Sequence, residues 1–224
     1  MLNTKLSLKT LKNHWHYGKW IYAAVALSLY FIGSMAFTMT AYRAPAERKV
    51  EFQLVGTVIN IEGADQVAKT LLPEAQVFDP TLEEINVYNI MYSGDASSDY
   101  AGAQKYMVML SVNEGAVYIV NRELMTQLVD QGVATPLDPY IQSGQLNVDG
   151  IDLADVTLPE PAYSEDEQPS GASYIYALPC ADLERFMQSD IGYDVSDKYM
   201  VLMSYTKNPD TAVHVMQGYR EAMK

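Results

Sequence analysis

Between Ile21 and Ala41 the chain reads IYAAVALSLYFIGSMAFTMTA, without a charged residue or a proline. A helix of about 21 residues is roughly 31 Å long, the thickness of a bilayer's hydrocarbon core. A core helix of a soluble protein is rarely apolar on every face over such a length. A cleaved signal peptide carries a shorter apolar stretch, about 7–15 residues, although Ser34-Met35-Ala36 and Ala44-Pro45-Ala46 are small-residue triplets of the cleavable kind. The run therefore predicts a retained transmembrane helix over 20–42, between a tail (1–19) and a tether (43–48) that leads into a domain over 49–224.

Charge sets the orientation. Lys5, Lys9, Lys12 and Lys19 precede the run with no acidic residue among them, while Arg43, Arg48 and Lys49 follow it together with Glu47. The side richer in Lys and Arg stays in the cytoplasm, so the expected location is a cell membrane crossed once, with the N-terminus cytoplasmic and the C-terminal domain extracellular. Trp15, Tyr17, Trp20 and Tyr22 mark the inner interface and Tyr42 the outer one, where amphipathic rings suit the headgroup layer.

Every one of the 28 acidic residues lies at Glu47 or later, so the first 46 residues carry a charge of +5 and the remainder −18. Such a domain repels nucleic acid and anionic lipid, which leaves the single membrane span and a small solute or membrane-protein partner as the expected contacts. The lone cysteine, Cys180, excludes an intramolecular disulfide and argues against a disulfide-rich secreted module.

Along the domain, periods of two and 3.6 alternate. Val50, Phe52 and Leu54 alternate with polar residues as a strand, and Ala64, Val67, Ala68, Leu71 and Leu72 form one helical face. INVYNIMY (Ile85–Tyr92) predicts a strand, Ser97–Val112 a helix, AVYIV (Ala116–Val120) a buried strand and Arg122–Gln131 a helix with Leu124, Met125, Leu128 and Val129 inward. The Pro-rich, acidic stretch 156–172, including Glu165, Asp166 and Glu167, predicts an exposed loop. There follow a strand over Tyr174–Leu178, a helix over Ala181–Ile191 with Leu183, Phe186, Met187 and Ile191 inward, and a strand over Tyr199–Tyr205. The last helix starts with Asn208 as N-cap and Pro209 at its first position. The expected fold class is α/β: one N-terminal transmembrane helix, then a mostly parallel sheet with helices on both faces.

Catalytic patterns are sparse. His214 is the one histidine of the domain, with no G-x-S-x-G context, and no phosphate-binding glycine motif occurs. Asn147, Asp149, Asp152 and Asp155 cluster around Gly150, yet their spacing does not fit a calcium loop. No cofactor or metal is expected, and the domain reads as a non-enzyme. An exported hydrolase using paired carboxylates is the catalytic alternative.

Three stretches resemble a known family. AVYIVNRELMTQLVDQGVATPLDPYI (Ala116–Ile141), SYIYALPCADL (Ser173–Leu183) and SYTKNPDTAVHVMQGYREAM (Ser204–Met223) occur in the order of similar stretches in extracellular solute-binding proteins of bacterial ABC importers. The chain is shorter than a two-lobed member, so the resemblance implies a reduced, membrane-anchored binding domain. A structural or accessory subunit of a membrane complex is the other non-catalytic reading, carried by the small pair Ala24 and Ser28.

In open α/β sheets ligands sit beyond the carboxyl ends of the strands. Those ends fall at Tyr92, Ser93 and Asp95, at Asn121 and Arg122, and at Cys180. These six residues are the expected ligand-binding set, with Arg122 as the cation for a carboxylate.

Overall fold

The computed structural model describes residues 8–97, 99–161 and 171–224, with the side chains of 8–14 and 17 outside the description. The Tyr17 ring and the acidic residues Glu165, Asp166 and Glu167 thus lie outside the described residues.

The chain divides into two compact units after Arg43. The first is a helix, α1 (Leu8–Thr40), in which Gly18–Thr40 is long and apolar enough to cross a membrane. Two of its hydroxyls bond within the helix: that of Thr38 donates to Ser34 O (2.9 Å) and that of Thr40 to Ala36 O (2.8 Å). Trp15, Trp20, Tyr22 and Tyr42 expose their rings.

The second unit contains β1 (Lys49–Val55), α2 (Ile61–Thr70), α3 (Leu72–Phe78), β2 (Glu84–Ile90), α4 (Tyr100–Ser111), β3 (Val117–Val120), α5 (Arg122–Asp130) and α6 (Asp138–Gln142). It continues through β4 (Thr157–Pro159), β5 (Ser173–Ile175), β6 (Ala177–Pro179), β7 (Tyr199–Leu202) and α7 (Pro209–Met223). Five strands form one mixed sheet in the order β2-β1-β3-β7-β6. β1 pairs in parallel with β2 and β3, whereas β7 runs antiparallel to both β3 and β6. Four strands therefore share a direction and β7 opposes them.

The antiparallel strand follows from its connection. A parallel neighbour needs a crossover, usually a helix. The expected helix over 181–191 is a single 3-10 turn at Glu184–Met187, so the chain leaves β6 and returns beside it. Leu183, Phe186 and Ile191 are buried as their spacing implies, but Met187 is exposed. The strand expected over 174–178 is split at Tyr176, whose N–H turns to Val156 O (3.1 Å). Its first half, β5, pairs with β4 at the border of the expected loop.

The strands' period of two sorts the core into two layers. Val117 and Ile119 join Phe52, Leu54 and the apolar faces of α2 and α7 on one side. Tyr118 and Val120 join Val55, Tyr106 of α4 and Leu124, Met125, Leu128 and Val129 of α5 on the other. Helix starts are fixed by side-chain oxygens, as expected for Asx caps: Asn60 accepts from Glu62 N, Asp99 from Gly102 N and Asn121 from Leu124 N. Asn208 occupies the cap position of α7 but instead donates to Asp79 Oδ2 (2.7 Å), which also accepts from Thr211.

Two backbone groups on the outer edge of β2 are taken up by side chains. Asp65 Oδ1 accepts the Val87 N–H (2.9 Å) and Lys105 Nζ donates to Asn89 O (2.6 Å). Side chains that occupy edge groups block strand addition by another chain.

Candidate functional site at the carboxyl end of the sheet

From β1 the chain moves outward to β2 and then crosses to β3 on the other side, so strand order reverses between β1 and β3. Such a reversal opens a crevice at the carboxyl ends. Here the protein fills it. Tyr193 is buried, with its hydroxyl 2.8 Å from Val55 O and 3.1 Å from Ile119 O, the carbonyls at the ends of those two strands. The segment around it is laced down by Ile59 N–H to Gly192 O and Asn60 N–H to Ile191 O. Gly56, at φ 137°, permits the close approach: a Cβ there would stand 3.3 Å from the Tyr193 ring and 3.6 Å from Lys198 Nζ.

Lys198 lies over the Tyr193 ring, its Nζ 5.9 Å from the centroid. Partial burial lowers its pKa, against the opposing pull of Asp197 and Asp194. Burial likewise holds the Tyr193 phenol well above its ordinary value. Neither residue was expected at the site. Both lie between the helix expected over 181–191 and the strand expected over 199–205, a stretch without a periodic pattern.

The expected residues after β2 and β3 make the following contacts at the same end of the sheet. The Asn121 side-chain N–H donates to Ser93 O (3.1 Å), joining the end of β3 to the chain after β2. Tyr92 donates its hydroxyl to Gly94 O (2.8 Å) and packs its ring 5.5 Å from that of Tyr106. Asp95 accepts from the backbone and hydroxyl of Ser97 (2.8 and 2.6 Å), a turn leading toward α4. Arg122 pairs with Asp155 at 2.9 Å, with both side chains more than half exposed (53% and 59%), and this contact raises the arginine's pKa. An open depression of about 560 Å³ lies over Asn121, Arg122, Glu123, Thr126, Gln127 and Asp197.

Cys180 does not join them. Its side chain is fully buried among the core residues, with Sγ turned back toward Leu178 O (3.7 Å), and burial pushes the thiol up to about 12. A thiol so placed is neither nucleophilic nor exposed to a ligand. The strand end is where the sequence places it, but the side chain points into the layer beneath.

The opposite end of the sheet holds a second polar cluster, around a cavity of about 60 Å³. Lys49 Nζ bonds Glu51 (2.7 Å) and Glu114 (2.8 Å). Burial raises the pKa of Glu51, while the Lys49 hydrogen bond lowers that of Glu114. Divergent carboxylates of this kind are the mark of an acid and base pair. This pair shares one ammonium, however, so the two carboxylates are held together by the Lys49 charge. Elsewhere, His214 stacks on Phe78 at 4.4 Å. Asn147 and Asp152 spend an oxygen each on the N–H groups of Asp149 and Ala154. Among the described residues no three His, Cys, Asp or Glu come together to hold a metal.

No family model and no curated protein matches the chain. Among solved structures it is similar to an extracellular solute-binding protein family 1 member from Alicyclobacillus acidocaldarius, at 12% identity and a TM-score of 0.37 over 58% of this chain and 27% of that one. It is also similar to an ABC substrate-binding protein from Listeria monocytogenes in complex with cycloalternan (16%, TM-score 0.32, 58% and 28%). A third is the N-glycan transport solute binding protein from Streptococcus pneumoniae in complex with Man5GlcNAc (16%, TM-score 0.35, 58% and 24%). The chain spans about a quarter of the length of each, a partial resemblance at low identity.

Proposed function

We propose that this protein is a membrane-anchored, extracytoplasmic, non-catalytic binding domain. In this reading its ligand lies across the open depression beside Arg122. The supporting observation is the chemistry of that surface. In a domain of −18 charge, a guanidinium stands at the carboxyl end of the sheet, paired with the exposed carboxylate of Asp155 and near that of Asp197. An exposed pair of this kind contributes about 0–1 kcal/mol, so a carboxylate-bearing solute can displace Asp155 at little cost. Asn121, Thr126 and Gln127 offer neutral hydrogen-bonding groups alongside. Gly18–Thr40 supplies the anchor in this reading, with the domain outside the cell.

The test is a thermal-shift screen of the full chain in detergent against small carboxylic acids and neutral sugars. Saturation at 100 times Kd is expected to stabilise by about 2.7 kcal/mol. Arg122→Ala should abolish the shift for carboxylates while the unliganded melting point stays put. A shift retained in that variant would overturn the proposed position, and turnover of any solute would overturn the non-catalytic reading.

A further inference from the structure

Helix α4 is apolar on two faces. Ala103 and Tyr106 are buried against the sheet, and Gly102 sits so close that a Cβ there would overlap Met91 O. The outer side carries Tyr100 (69% exposed), Met107 (61%) and Val108 (56%), followed by Val112 (58%), with Met91 (62%) beneath the first turn. Tyr100, Gln104, Val108 and Val112 follow at intervals of four, a single ridge of the kind that packs into a neighbouring helix. Among the described residues nothing covers this second apolar face.

Charge and area select the occupant. From Tyr100 to Asn113 there is no carboxylate, although 28 are spread over the domain, and the single cation, Lys105, is spent on Asn89 O. Two copies of so acidic a domain repel one another over most of their surface; this face lets them meet without opposing carboxylates from α4. A lipid surface fits poorly, because interfacial helices bring several Lys or Arg to anionic headgroups. The five apolar side chains expose on the order of 550 Å². Complete burial of these side chains in a two-fold pairing sets an upper limit of roughly 1,100 Å², close to the ~1,000 Å² a specific interface needs. A symmetric contact also satisfies both copies with one patch. At the adjacent edge Asp65 and Lys105 occupy two of the backbone groups that strand addition would use, which favours helix packing.

We propose that the outer face of α4 is a homodimer interface, with α4 packing on α4 of a second copy of this chain. Cysteine cross-linking of the full chain in membranes tests it, because the native Cys180 is fully buried. Val108→Cys should oxidise to a species of twice the 25.0 kDa chain mass, while Gln127→Cys, on the exposed side of α5, should not. In detergent, the double change Met107→Asp and Val108→Asp should weaken the dimer about tenfold or more by light scattering, with the melting curve confirming the fold. Cross-linking equal at positions 108 and 127, cross-linking of 108 only to another protein, or an aspartate variant that remains dimeric would each overturn the proposal.

Discussion

The two ends of the sheet are closed by different chemistry. At the carboxyl end a phenol from a distant segment sits in the crevice between β1 and β3 and bonds two strand-end carbonyls. At the amino end a lysine holds two carboxylates, and the neighbouring Gln53 is buried with neither amide atom partnered. The first closure is made from packing and neutral hydrogen bonds. The second is made from charge. Only the second should therefore respond to pH over the range in which carboxylates titrate.

The largest expected effect falls on the carboxyl end. Tyr193→Ala empties the crevice and should cost about 3–5 kcal/mol, as for other large-to-small changes of buried aromatics. Tyr193→Phe keeps the ring but leaves Val55 O and Ile119 O without the hydroxyl, at a cost of about 1–2 kcal/mol. Chemical denaturation of both variants separates packing from hydrogen bonding. If the alanine variant melted like the parent, the plug would be ornamental and the contrast between the ends would fail.

At the amino end the two carboxylates should act with opposite sign. The pKa of Glu114 is lowered in the fold, so its contribution is present above its unfolded value and is lost as pH falls through the folded one. That of Glu51 is raised, so stability is greatest below the unfolded value and is lost as pH rises through the folded one. Glu114→Gln should destabilise near neutrality by about 0.5–1 kcal/mol after solvent screening and by less in acid. Glu51→Gln should flatten the loss seen on raising the pH from the acid side toward neutrality. Stability curves of parallel shape for the two variants would show that Lys49 does not couple them.

Sequence reading succeeded where contacts are local. Leu124, Met125, Leu128 and Val129 are buried as a helical period requires, and the run expected as a strand over Ala116–Val120 holds β3 at Val117–Val120, because a short apolar run suits both layers of a sheet. The reading failed where a distant partner decides. Leu183, Phe186 and Ile191 carry a spacing that fits a helix, yet Asp190–Gly192 reaches back to the 58–60 segment, which leaves room for one turn. The Tyr193 plug bridges 138 positions to Val55, a separation at which no local pattern signals contact. Five of the six expected ligand residues sit at the carboxyl end because strand ends are local features. Cys180 departs because a strand's side chains alternate, and its own points inward.

The smallest expected effect bears on Lys198, the cation over the Tyr193 ring at the carboxyl plug. Burial lowers the pKa of Lys198, so protonation opposes folding at neutral pH. A lysine depressed in this way makes the protein more stable as pH rises from its folded value toward the unfolded value near 10.5. Lys198→Met keeps the hydrocarbon stem over the Tyr193 ring and removes that opposition. After screening, the gain at neutral pH should be about 0.5 kcal/mol, and the alkaline rise in stability should diminish. A loss of stability instead would mean that the ammonium contributes more through the ring face than burial takes away, and the carboxyl end would then be closed partly by charge as well.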